Sequence, residues 1–124
     1  MDGLTWLDLA GFRILRADYG VAKDPIQLMH ATKQEQYLTK EYWVYCLVDF
    51  ALKPFSESFV DEYRETSRNL LSEKKIVAAY IGLIPELFEA AKGIIERLDP
   101  ARAQVEFFET EPAALAWLIS FKSC

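Results

Sequence analysis

The run "YWVYCLVDF" (42–50) is apolar at every position until Asp49, on both of the sides that a strand's alternation would separate. A half-solvated antiparallel strand would alternate. This one reads as a strand covered on both sides, as in a parallel sheet with helices on each face. "KKIVAAYIG" (74–82) predicts a second buried strand and "AQVEFFET" (103–110) a third. Helical stripes follow each of them. Residues 58–71 place Phe59, Val60, Tyr63, Ser67, Leu70 and Leu71 on one side, with Asp61, Glu62, Arg64, Glu65 and Arg68 on the other. Residues 85–98 turn Leu87, Phe88, Ala91, Ile94, Ile95 and Leu98 inward. A closing helix over 111–122 carries Ala114, Trp117, Leu118 and Phe121 on its stripe, so Trp117 and Leu118 are expected to be mostly buried.

Upstream, "LTWLDLAGFRILRADYG" (4–20) predicts two short strands around Ala10-Gly11. Asp24-Pro25-Ile26-Gln27 then signals a helix over 25–38. Asp24 is placed to accept the first free amides, Pro25 suits the first helical position, and Gln27 reaches back as in a capping box. Its expected inward stripe is Ile26, Met29, the stem of Lys33, and Tyr37. Strands alternating with helices imply an α/β fold: a mixed, largely parallel sheet with helices packed on it and an N-terminal β-hairpin extending it. The strands at 42–50, 76–81 and 103–109 should be mutually parallel. No repeat or linker divides residues 1–124, which suit one domain with one core.

Nineteen acidic against 14 basic residues give a net charge of −5, which disfavours a nucleic-acid surface and gives no attraction to anionic lipid. "MDGLTWLDLAGFRIL" lacks a basic start and carries Asp2 and Asp8, so it does not read as a signal peptide. The apolar run at 76–85 is too short to span a bilayer. Cys46 and Cys124 form no disulfide framework, and a cytoplasmic setting is expected. No phosphate-loop, dinucleotide-loop or nucleophile-elbow motif is present. His30 is the single histidine, so no histidine-pair metal site forms, and beside Met29 it reads as structural. No catalytic residue, metal or cofactor is assigned, and the chain reads as no enzyme.

Taken in order, "YWVYCLVDF", an acidic helix, "KKIVAAYIG", a helix and "AQVEFFETEPAALAWL" resemble the STAS-like, anti-sigma-factor-antagonist-like proteins of bacteria. The tail carries the likeness best, with a strand ending in a bulky residue, a short turn and the "ALAWL" helix. The resemblance implies a mixed sheet with helices against it and a regulatory binding module. In such proteins a strand-end Asp precedes a loop and a phosphorylatable Ser at a helix start. Asp49, Phe55 and Ser58 match those positions. The family's D-S-S-G becomes "ESFV" (57–60), with Glu57 for Asp, and lacks the second serine and the glycine. Bulky Phe59 and Val60 therefore weigh against kinase recognition. Ser58 with Asp61 three residues on also reads as an ordinary N-cap, with Ser56 the alternative cap.

Asp49 reads either as a ligand group at the carboxyl end of a central strand or as an acceptor for loop amides. "GLIPEL" (82–87) offers no capping side chain before Pro85, and its apolar Leu83 and Ile84 mark either an interface or residues folded under the sheet edge. The loops at 50–58, 82–86 and 109–112 thus nominate Asp49, Ser56, Ser58, Gly82, Leu83, Ile84, Glu86 and Thr110 for a ligand or partner. The leading expectation is a non-enzymatic STAS-like regulatory or protein-interaction module. Its partner would be a second copy, in an isologous homodimer, or another protein. The alternative is a binder of an apolar or acidic small molecule, suggested by 8 Phe, 6 Tyr and 3 Trp. A carboxylate-based hydrolase or isomerase is a weaker third.

Overall fold

The computed structural model describes residues 2–9, 11–68 and 74–121. In chain order the elements are β1 (Leu4–Leu9), β2 (Phe12–Asp18), α1 (Pro25–Leu38), β3 (Trp43–Asp49), α2 (Glu57–Arg68), β4 (Lys75–Ile81), α3 (Pro85–Ile95), β5 (Ala103–Phe107) and α4 (Glu111–Ser120). The five strands form one sheet in the order β1-β2-β3-β4-β5. β1 and β2 are an antiparallel hairpin, and the three remaining pairings are parallel. The α/β class, the hairpin and the parallel strands agree with the sequence reading.

Sequential parallel strands joined by crossovers of one hand place their helices on one face. Leu28 and Met29 of α1, Phe59 of α2 and Leu87 of α3 accordingly meet Leu15, Val44, Cys46, Val48, Ile76 and Ala78 in one core. α4 packs on the other face. There Ala114 and Leu118 cover Ile14, Leu47, Val77, Ala79 and Ile81.

One helix cannot cover a whole sheet face, and this corrects the double-sided burial expected of 42–50. α4 starts at the carboxyl edge and ends with Phe121 against Tyr45, 5.9 Å between ring centroids. The amino end of β3 lies past it and leaves Trp43 exposed, and Tyr42, just before the strand, is exposed as well. As expected, Leu118 is fully buried and Trp117 mostly so, packed against the same core between Phe108 and Phe121.

Asp24 caps α1 by accepting the amides of Ile26 and Gln27, with Pro25 at the first helical position. The inward face of α1 differs from expectation: it is Leu28, Met29, Thr32 and Gln36, and Tyr37 is 64% exposed. Thr32 Oγ1 donates to the Leu28 carbonyl, and Gln36 Nε2 donates to Cys46 Sγ at 3.2 Å. Satisfied polar groups tolerate burial, and an apolar-only stripe misses them. α3 ends at Ile95 rather than 98. Its last turn tightens, with the Arg97 and Leu98 amides reaching the carbonyls of Ile94 and Ile95.

The cap of α2 is Ser56, not Ser58. Ser56 Oγ accepts from the Phe59 amide at 3.2 Å, while Ser58 sits exposed in the first turn, one position after Glu57 begins the helix. Ser56→Ala is therefore expected to lose about 1 kcal/mol, and Ser58→Ala almost nothing, in urea unfolding. Equal losses would refute this assignment. Leu70 and Leu71 of the expected stripe lie outside the described residues.

Candidate functional site

At the carboxyl edge, β2 and β3 end in register at Asp18 and Asp49. Each carboxylate folds the chain back by accepting an amide two residues on, Gly20 at 2.8 Å and Ala51 at 2.8 Å. Arg16 lies between them and α4. It donates to Glu111 Oε1 from Nε at 3.0 Å and Nη2 at 2.7 Å, and to Asp18 Oδ2 at 3.2 Å, while Asp49 Oδ2 stands 4.0 Å away. Burial works against the charge of Arg16, but its bonds to Glu111 and Asp18 outweigh that and hold its pKa above the ordinary value. The carboxylates here are thus compensated by one guanidinium.

The loop after β3 is conformationally costly. Ala51 and Leu52 both adopt left-handed backbone, with φ of 58° and 55°, a conformation costing about 1–2 kcal/mol for each non-glycine residue. It is held by the bond from Ala51 to Asp49 and by the Leu52 amide on the Gly82 carbonyl at 2.7 Å. Lys53 Nζ ties the same loop to the Tyr19 and Gly20 carbonyls. Gly82 has φ of +71°, and a Cβ there would lie 2.7 Å from both the Ala51 nitrogen and Asp49 Oδ1.

Of the nominated positions, Asp49 and Gly82 meet directly. Thr110 caps α4, accepting from the Ala113 amide at 3.3 Å, beside the Glu111 that holds Arg16. Ser56, Ser58 and Glu86 are exposed at the starts of α2 and α3, and α3 has no side-chain cap. Leu83 and Ile84 are half-buried and pack against the core under α1–α3, as residues folded under the sheet edge do. Phe55 stacks on Phe59 at 4.3 Å and meets Tyr19 edge-on.

The amino edge carries a patch that sequence reasoning did not nominate. Among the described residues, four of the six exposed large apolar side chains fall within 37–43: Tyr37, Leu38, Tyr42 and Trp43. Lys75 Nζ lies 4.5 Å over the Trp43 ring, and Lys74 Nζ binds the Tyr37 and Thr39 carbonyls. Alongside is a 260 Å³ cleft lined by Trp6, Arg13, Leu38, Lys40 and Glu41, where Arg13 stacks on Trp6 and pairs with Glu41 at 3.3 Å. A larger cleft of 580 Å³ lies between α2, α3 and the approach to β5, with Arg64, Arg97 and Arg102 on its walls. The available signal for the aromatic patch was "YWVY" itself, four large residues opening a strand. Reading them as covered hid it.

Between the sheet and α1–α2 lies a small, partly open cavity of about 50 Å³. On its wall the Tyr63 and Tyr80 hydroxyls are 2.6 Å apart. Burial raises the Cys46 thiol to about 11 and the Tyr63 phenol to about 12. Both are acids whose folded-state pKa exceeds the unfolded one, so the folded state keeps its proton longer and stability falls as pH rises through that window. The loss should begin near pH 9, the ordinary thiol value, and grow to about 2–3 kcal/mol for Cys46 by pH 11. In alkaline urea unfolding, Cys46→Ala should postpone the loss to about pH 10, where the phenols of Tyr19, Tyr63 and Tyr80, all raised by burial, take over. An unchanged profile would contradict it.

Among the described residues no three metal-ligating side chains converge, and no helix is long and apolar enough to cross a membrane. His30 Nε2 lies 3.2 Å from Glu62 Oε1, linking α1 to α2 at the surface. The chain matches no family model, no curated protein and no solved structure.

Proposed function

We propose that this chain is a non-enzymatic protein-interaction module, regulatory in the manner of the STAS-like proteins its sequence resembles, and that its first partner is a second copy of itself. The observation that carries this reading is the clustering of Tyr37, Leu38, Tyr42 and Trp43 on one edge. Aromatic side chains beside arginine have the composition of interface anchors, and contiguous exposed apolar surface marks binding sites. The choice of a second copy rests on charge. Arg13, Lys40 and Lys75 flank the patch together with Glu35 and Glu41. A two-fold contact sets a patch against itself, which a single-sign surface would resist and a mixed one permits.

Sedimentation velocity at rising concentration tests this. The parent should pass from monomer to dimer, and Tyr42→Ser/Trp43→Ser should remain monomeric with an unchanged circular dichroism spectrum. A parent that stays monomeric, or a variant that dimerises equally well, would overturn the reading. A second reading, a binder of a small acidic molecule, is favoured by the 50 Å³ cavity, whose wall is polar as well as apolar.

A further inference from the structure

Three of the chain's six arginines line one cleft, the 580 Å³ groove between α2, α3 and the approach to β5. In a chain of net charge −5 that concentration calls for a reason. Arg13 and Arg16 are committed elsewhere, to Glu41 and to Glu111 with Asp18. Within the cleft, Arg64 pairs with Asp61 of its own helix at 3.1 Å. Arg97 and Arg102 are exposed, and among the described residues neither has a carboxylate within ion-pair distance. Backbone bonds set both of them. The Arg97 amide reaches the Ile94 carbonyl where α3 tightens, and the Arg102 amide reaches the Asp99 carbonyl at 2.9 Å. Asp99 also holds that turn through the Ala101 amide. Two free guanidinium forks thus start from fixed backbone and share one cleft.

Gly93 is a second, separate observation. Glycine inside a helix is destabilising relative to alanine, and a cap or a crowding neighbour is its usual structural reason. Neither applies. The C-cap of α3 is Glu96, and a Cβ at Gly93 would meet no atom within 4 Å. What the missing side chain leaves is bare backbone on the cleft wall, one turn before Arg97. Beside it Ala90, Ile94 and Leu98 recur every fourth residue, an apolar row parallel to Glu89, Gly93 and Arg97. The cleft is therefore polarised. Positive charge gathers at the Arg97–Arg102 end, Glu89 lies two turns away, and the wall between is apolar or bare. Its volume falls within the roughly 300–1,000 Å³ of small-molecule sites.

We propose that this cleft binds a small organic phosphate monoester, its phosphate between Arg97 and Arg102 with Arg64 across the cleft on α2, its organic part along Ile94 and Leu98 over Gly93. One guanidinium fork fills the two oxygens of a carboxylate. A phosphate monoester has three terminal oxygens and close to two negative charges, so it takes two forks at once. The apolar row favours an ester over inorganic phosphate. The proposal rests on the second reading above, a small acidic ligand, but seats that ligand in this cleft and not in the 50 Å³ cavity. It is separate from the patch at the amino edge.

The test titrates phenyl phosphate, inorganic phosphate and benzoate into the protein, followed in amide NMR spectra. Phenyl phosphate should bind saturably, about tenfold or more tightly than either other anion, and shift the amides of 93–102. Arg97→Gln and Arg102→Gln should each weaken it about tenfold, the loss of one charge-assisted bond. Gly93→Leu should abolish binding while unfolding no earlier than the parent, because leucine is the better helix former. Equal affinity for phenyl phosphate and inorganic phosphate would overturn the proposal, as would undiminished binding to Gly93→Leu. Shifts confined to residues around the 50 Å³ cavity, such as Tyr19 and Tyr80, and unchanged in both arginine variants, would overturn this site and leave the second reading standing. No saturable binding of any of the three would overturn both.

Discussion

Phe59→Ala is expected to destabilise the protein by about 3–5 kcal/mol, the range for removing a large buried aromatic side chain. Phe59 is 2% exposed and stands where α2 meets the sheet. Its ring stacks on Phe55 at 4.3 Å and receives Tyr19 edge-on at 5.5 Å, and Tyr19 in turn stacks on Phe50 at 5.3 Å. Truncation takes a ring contact from both Phe55 and Tyr19, which stay held by each other and by Phe50, so the cavity cannot collapse cheaply. Phe59→Leu keeps most of the volume and should lose less than half as much. Urea unfolding of both variants checks this, and a loss near 1 kcal/mol for Phe59→Ala would show that the aromatic cluster is loosely packed.

Gly82→Ala should cost about 2–4 kcal/mol although it adds one methyl group. Two effects combine: a left-handed backbone that alanine adopts at a cost, and a steric conflict that cannot relax. The conflict is with the Ala51 nitrogen and Asp49 Oδ1, both 2.7 Å from the added carbon, and both are held by their mutual hydrogen bond. The loop must shift, and the left-handed Ala51–Leu52 pair should shift with it. Asp49→Ala/Gly82→Ala should therefore lose less than the sum of its single variants, because the first change removes both the crowding oxygen and the bond that holds the Ala51 amide. Strict additivity in thermal unfolding would contradict the coupling.

The sheet was legible because its strands are buried on both faces or nearly so. "IVAAYI" and "VYCLV" have no other comfortable place, and the cap at Asp24 is local chemistry that needs no tertiary knowledge. What escaped depends on neighbours. Whether Ser56 or Ser58 caps α2 turns on a one-residue offset in the approach to the helix. Thr32 and Gln36 face inward because a carbonyl and a thiol await them, which no periodicity reveals. Trp43 is open because a single helix covers the second face, a fact about topology and not about the residue. At the carboxyl edge Asp49 and Gly82 were found, but Arg16 and Glu111, which complete the cluster, come from residues 95 positions apart.

The proposed contact between two copies at the amino edge is read residue by residue in amide NMR spectra recorded on dilution. Signals of residues 37–43, with Lys74 and Lys75, should move with concentration, while those of 50–58, 82–86 and 109–112 stay fixed. Shifts confined to those three carboxyl-edge loops, or no shift anywhere, would contradict it.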